Sequence, residues 1–363
     1  MGTIVARKRN DGSTGYTAQI LRKKAGKILH REAKTFDRKQ AAESWVKRRE
    51  TELDQPGAID RAKAPDKSLS DAIDRYIAES RKAIGRTKAQ VLASIKLYDI
   101  ANMDCGEIRS EHIVALAGEL MKGSDGGAPR QPSTVGNYIS HLAAIFAIAR
   151  PAWGYRLDEA QMSDAQAVLR RMGTIGKSKS RNRRPTLSEI DLLMQHFIDR
   201  SKRDPNAAPM HRVIAFAIFS TRRQEEITRQ EMSDVDSKHS RLLVRDMKHP
   251  GEKIGNDTWC ELPKEALRII KATKNTARVF PYTTDAISAA FTRACQLLGI
   301  DDLHFHDLRH DGISRLFEMG KTIPQAASVS GHKSWQSLQR YTHLRQTGDK
   351  YAGWKWLSVV TAH

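Results

Sequence analysis

Apolar and polar positions alternate at Thr3-Ile4-Val5-Ala6 and again at Tyr16-Thr17-Ala18-Gln19-Ile20-Leu21, with the turn formers Asn10-Asp11-Gly12-Ser13-Thr14-Gly15 between them. A period of two predicts half-buried strands joined by a turn. A third strand follows over Ile28–Phe36 and a helix over about Arg38–Leu53, so residues 1–55 are expected to form a three-stranded sheet with one helix. Residues 56–67, headed by Pro56-Gly57, read as a linker. From Ser68 the apolar spacing becomes helical: Leu69, Ile73, Tyr76 and Ile77; Val91, Leu92, Ile95 and Tyr98; Ile113, Val114, Leu116 and Leu120; and, past a loop of small residues, Val135, Tyr138, Ile139, Leu142, Ile145 and Phe146. Residues 68–172 are therefore expected to be a bundle of about four helices.

A stretch rich in Gly, Ser, Lys and Arg, residues 173–185, forms a second linker, and Thr186 with Glu189 has the spacing of a capping box that opens a further domain over 186–345. There the apolar run Val213–Phe219 predicts a buried helix that breaks at Ser220-Thr221-Arg222-Arg223. Arg241–Val244 and Thr258–Pro263 read as the strands of a hairpin, and Phe305-His306-Asp307-Leu308-Arg309 opens another helix. The tail 346–363 carries Tyr351, Trp354, Trp356, Leu357, Val359 and Val360 and is too apolar to stay in water. The predicted class is α+β, mainly α.

Charge narrows the partner. The chain of 363 residues holds 61 Lys and Arg against 42 Asp and Glu, a formal net charge of +19. Such an excess suits a polyanion, and nucleic acid is the first expectation. A membrane surface is the competing one. No apolar run approaches a bilayer span, the N-terminus lacks a signal-peptide core, and Gly2 is followed at position 6 by Ala, not the Ser or Thr of a myristoylation signal. A cytoplasmic DNA-binding protein is expected. Cys105, Cys260 and Cys295 lie far apart, with no Cys-x-x-Cys or His-Glu-x-x-His spacing, so neither a metal nor a cofactor is expected.

The chemistry concentrates near the C-terminus. On a helix, His306 and Arg309 stand three apart and share a face, so both can address one phosphate. A phosphoryl transition state gathers charge on its equatorial oxygens, which a guanidinium fork and an imidazole donor stabilise. A second arginine would complete the clamp, either Arg222 or Arg223; Arg223, with Glu226 three residues on, is the better candidate. Lys248, at the turn of the hairpin, can protonate a leaving oxygen, with Lys253 as its rival on the same turn. Tyr341 would be the nucleophile, a phenol of ordinary pKa about 10 that needs cations around it. His310 reads as a supporting, structural residue, and His304 and His343 as structural or DNA-facing.

Taken in order, Arg223 with Glu226, Lys248, His306 with Arg309, His332, and Tyr341 nine residues after it resemble the tyrosine recombinase (phage integrase) family, most of all prophage integrases and shufflon-type DNA invertases. The resemblance implies a C-shaped DNA clamp and cleavage by Tyr341 to a 3′-phosphotyrosyl enzyme and a free 5′ hydroxyl, without metal or ATP. It implies that Arg223, Arg309 and His332 bind the phosphate, that Lys248 is the general acid, that His306 aids proton transfer, and that Glu226 orients the arginines. One departure is Thr221, where many members carry glycine. Residues 1–55 resemble an arm-type DNA-binding domain, with Arg7, Lys8, Arg9, Arg22, Lys23 and Lys24 in its turns; the alternative is a small packing module. Residues 68–172 resemble the core-binding domain, with Lys88 and Arg130 as backbone contacts. Lys177, Lys179, Arg181, Arg183 and Arg184 would strap the linker across phosphates. The expected assembly is a homotetramer on two double-stranded DNA sites, joined through a Holliday junction, with the tail of each chain on its neighbour and an accessory DNA-bending or directionality protein as a further partner. The rival readings are a monomeric type IB topoisomerase and a non-catalytic DNA-binding regulator.

Overall fold

The computed structural model describes residues 2–8, 12–24, 27–55, 58–59, 67–123, 127–178, 181–247, 255–273 and 277–362, without the side chains of residues 24 and 27. They fall into two compact units, Met1–Lys179 and Ser180–His363.

In the first unit, β1 (Thr3–Lys8), β2 (Thr14–Lys24) and β3 (Lys27–Phe36) form an antiparallel sheet in the order β1-β2-β3. Helix α1 (Lys39–Leu53) covers one face, where Ala18 and Ile20 meet Ala42, Trp45 and Leu53. Alternation along β2 sends Ala18 and Ile20 inward and leaves Leu21 at the surface, so the sheet has one apolar face and needs one helix. The expected linker 56–67 lies outside the described residues except at 58, 59 and 67. Among the described residues five α-helices follow: α2 (Leu69–Glu79), α3 (Arg86–Ile95), α4 (Ser110–Lys122), α5 (Pro132–Trp153) and α6 (Glu159–Arg171). The helix beyond the expected four is α6, whose apolar stripe is only Met162, Ala165 and Leu169 among charged neighbours. That stripe closes one core with Ile73, Leu92, Leu116 and Phe146.

The second unit is built round α8 (Met210–Ser220), buried at every position but Arg212. A helix apolar on every side must be enclosed, and α7 (Leu187–Arg203), α10 (Lys264–Lys271) and α11 (Thr284–Leu297) supply apolar faces to that core. Helix α12 (Phe305–Glu318) lies against α8 so closely that a Cβ on Gly312 would sit 2.1 Å from the Ile218 carbonyl oxygen. Only glycine fits that contact. The hairpin forms as predicted, β5 (Arg241–Val244) pairing with β6 (Thr258–Glu261) in the register Leu243 to Trp259, and a short β4 (Val235–Asp236) extends it. Among the described residues no helix is long and apolar enough to cross a membrane.

The tail makes contacts within its own chain. It packs on its own domain: Val360 is wholly buried, Trp354 and Trp356 donate their indole N–H groups to Asp191, and the Tyr351 hydroxyl donates to Asp311 at 2.6 Å. The core round Phe219 leaves a hollow that Tyr351 and Trp354 fill with ring centroids at 5.7 and 6.0 Å, so the apolar tail has a site within its own chain.

Candidate active site

The turn after α8 sets the site. Thr221 caps the helix with φ 57° and ψ 23°, in the left-handed region, and its hydroxyl is buried with no hydrogen-bond partner among the described residues. A β-branched residue is strained there. Replacing Thr221 by glycine removes the strain and the orphan hydroxyl together and should raise unfolding stability by about 1 kcal/mol, after the entropic cost of glycine. A rise in the urea midpoint with an unchanged slope checks this.

The chain leaves the turn through two arginines with different fates. Arg222 is 2% exposed. Its donors go to the Ser220 and Val329 carbonyls and to Cys260 Sγ, so it knits the turn to β6 and to α13 (Ile323–Ser330). Arg223 stays partly open and reaches Glu226 with its backbone N–H at 3.0 Å and Nη1 at 2.7 Å. Arg309, on α12, is buried and donates to the Thr221 and Ser330 carbonyls and, at 3.3 Å, to His332 Nε2. Glu226 lies 3.8 Å from both Arg222 and Arg309, so one buried carboxylate sits among three guanidiniums and offsets only part of their charge. Burial alone would raise the Glu226 pKa, but Arg222, Arg309 and Arg223 outweigh it and hold the group below the usual carboxylate range.

His332 follows Gly331, whose φ of 72° ends α13. The Ser330 hydroxyl donates to the Ala326 carbonyl at 2.6 Å and lies 2.8 Å from His332 Nδ1, so Nδ1 carries the proton and Nε2 turns its lone pair to Arg309. Burial, then Arg309, Arg223 and Arg222, push the His332 pKa down to about 3, and the free ring is neutral. Met247 packs where a Gly331 Cβ would be, 2.4 Å from that position. Lys248 and Lys253 lie outside the described residues.

Tyr341 ends a short 3₁₀ turn, Gln339–Tyr341, and is 6% exposed. Its ring stacks on Phe317 at 5.9 Å and 16°, and Arg340 lies 5.5 Å above it. The Tyr341 hydroxyl and His310 Nδ1 share a hydrogen bond of 2.6 Å. Burial raises the Tyr341 pKa, with Arg340, Arg309 and Arg184 opposing. His306, one turn before His310, sets its ring edge-on to that residue, centroids 4.9 Å apart, and opens to solvent.

The arginines of the basic segment are ion-paired in the free protein. Arg181 pairs with Asp307 and Asp302, Arg183 with Glu189, and Arg184 with Asp311 and Glu318. Asp307 and Asp311 are fully buried on α12, and a buried carboxylate must be paired. Arg340 joins this network by donating to the Arg181 carbonyl and the Asn182 side chain. A signal was present in the sequence: Asp307, Asp311 and Arg315 recur every fourth residue on an otherwise mostly apolar helix. Arg22, Lys88 and Arg130 also make contacts within the chain. Arg22 reaches Asp54 at 2.7 Å, Lys88 bonds the Tyr76 hydroxyl, and Arg130 donates to the Tyr98 hydroxyl and lies 5.2 Å over the Tyr138 ring. Arg7, Lys8, Lys23 and Lys177 are exposed. Arg9 and Lys179 lie outside the described residues, as does the Lys24 side chain.

Residues 185–347 match the model of the phage integrase family. The chain is 31% identical over 286 residues to the shufflon-specific DNA recombinase of Escherichia coli, across 77% of this chain and 69% of that one. This chain belongs to the phage integrase family of tyrosine recombinases. It is also 26% identical over 231 residues to the integrase of Salmonella phage P22, covering 59% of this chain and 55% of that protein. The fold matches a lambda integrase dimer bound to a COC′ core site with a TM-score of 0.60 at 18% identity, over 93% of this chain and 94% of that one. The recombinase is thus an enzyme of the tyrosine site-specific class, and its mostly helical α+β architecture with small antiparallel sheets is that of the integrases.

Proposed function

We propose that this recombinase cuts and rejoins double-stranded DNA with Tyr341 as nucleophile, forming a 3′-phosphotyrosyl bond and releasing a 5′ hydroxyl. The observation that carries the residue assignment is the cluster itself: Arg223, Arg309 and His332 gather round Glu226 while Tyr341 lies in the field of Arg309. Arg223 and Arg309 bind the scissile phosphate, and His332 completes the cradle once the phosphate charge restores its proton. Lys248 protonates the leaving oxygen and His306 assists proton transfer. Glu226 is a positioning residue.

The wider reading is a homotetramer on two DNA sites, acting through a Holliday junction in the cytoplasm beside the nucleoid, with an accessory bending or directionality protein. We assign residues 1–55 to arm-type DNA, 68–172 to core-site binding, 173–185 to the interdomain linker and 186–345 to catalysis. Exposed Arg7, Lys8 and Lys23 on the N-terminal sheet support prophage or mobile-element integration and excision. A second reading, inversion of a segment, is favoured by the similarity to the Escherichia coli shufflon recombinase.

The test incubates the full chain with nicked suicide duplexes made from the DNA flanking its own gene. A denaturant-resistant adduct that requires Tyr341 supports the assignment, and sequencing its DNA locates the site. Recombinant products between direct, inverted or separate sites decide excision, inversion or integration. Plasmid relaxation by single protomers without strand exchange would favour a topoisomerase, and tight binding without an adduct a regulator.

A further inference from the structure

We infer that His310 is the catalytic base that takes the proton from the Tyr341 hydroxyl as it attacks. The inference rests on Tyr341 being the nucleophile and names the group that activates it.

Three observations lead there. The Tyr341 hydroxyl is 2.6 Å from His310 Nδ1, within reach for direct proton transfer. Both groups line one cavity of about 180 Å³ with Arg181, Arg184 and Arg340; the first two are paired with carboxylates, and Arg340, 5.5 Å from the Tyr341 ring, is the guanidinium that favours phenolate character. His306 packs edge-on against His310, centroids 4.9 Å apart and planes at 88°, and is itself exposed to solvent, whereas His310 is the imidazole bonded to the hydroxyl.

The electrostatics agree in direction. Facing His310 are His306, Asp307 and Arg309 from its own helix, Tyr341 and Arg340 from the turn, and Arg181 and Arg184 from the segment before α7. Burial, then His306 and Arg340, push the His310 pKa down to about 4, so at neutral pH the ring is neutral, and with its proton on Nε2 the Nδ1 lone pair accepts from the phenol. A bound phosphate neutralises part of that cationic field and raises the affinity of His310 for a proton at the moment the phenol must give one up.

The step balances. The Tyr341 oxygen forms its bond to phosphorus as the bond from phosphorus to the 5′ oxygen breaks, the phenol proton passes to His310 Nδ1, and the departing 5′ oxygen takes a proton from the hairpin lysine. In rejoining, the 5′ hydroxyl attacks, its proton returns to that lysine, and protonated His310 returns its proton to the tyrosine oxygen.

The test uses the full chain and a suicide duplex in which the 5′ bridging oxygen is replaced by sulfur, a leaving group that needs no acid. His310→Ala and His310→Asn should cleave the oxygen and sulfur duplexes about 100-fold more slowly than the parent. Lys248→Ala should be slow on oxygen alone and rescued by sulfur. Fluorotyrosine at 341, a more acidic phenol, should recover His310→Asn about tenfold, a response that a merely structural role would not produce. All variants are compared below their measured melting midpoints, and asparagine keeps an acceptor near the hydroxyl if alanine unfolds the chain. Rates within threefold of the parent for His310→Asn, or rescue of either His310 variant by sulfur, overturn the inference. An adduct that persists in Tyr341→Phe overturns the nucleophile assignment instead, and so separates the two failures.

Discussion

Replacing Tyr341 with phenylalanine should abolish the covalent protein–DNA adduct while leaving DNA binding within about threefold, because the hydroxyl forms the bond and the ring supplies the packing. Phenylalanine keeps the stack on Phe317 and the place beside Leu338 and Ala326. What is lost in the free protein is the hydrogen bond to His310, about 1 kcal/mol of stability. A denaturing gel of the suicide-substrate reaction, beside a binding titration at fixed salt, checks both parts. Binding that fell with the adduct would mean that the hydroxyl serves DNA affinity, contrary to the assignment.

The second large effect is expected at Glu226. Truncation to alanine leaves Arg222, Arg223 and Arg309 gathered without their carboxylate, two of them buried, and should cost about 3–5 kcal/mol of stability along with nearly all cleavage. Glutamine keeps the shape without the charge and should lose activity at a smaller stability cost. The sign of the pH dependence follows from the depressed Glu226 pKa. Its contribution is fully present above the unfolded value of about 4.3 and is lost as pH falls through the lower folded value. The difference in denaturation midpoint between parent and Glu226→Gln should therefore be steady at neutral pH and shrink below about pH 4. A difference that grew on acidification would show that the arginines do not stabilise the charged form.

Much of the architecture was legible along the chain. Strands β2, β5 and β6 follow their alternation, and α8 follows its unbroken apolar run, because those patterns report burial that neighbouring residues share. Helix α6 was not legible, since three small or flexible apolar residues make too thin a stripe to rise above its charges. The spacing of Arg223, His306, Arg309, His332 and Tyr341 was visible as an ordered motif, but their mutual contacts were not. The Arg309 contacts to Thr221 and Ser330 join positions 88 and 21 residues away, which no local period reports.

The sequence by itself determined the elements, the order of the reactive groups and the cationic balance, because periodicity and spacing act within a few turns of chain. Tertiary structure decided how each charge is used. Arg181 and Asp307 lie 126 residues apart, yet burial of that carboxylate requires a cation, and the Arg181 guanidinium supplies one. It also decided that the tail closes on its own domain, where Tyr351 and Trp354 fill a hollow beside Phe219. Last, it set His310 against the Tyr341 hydroxyl, a contact made by folding a 3₁₀ turn onto α12 and by nothing in the residues between them.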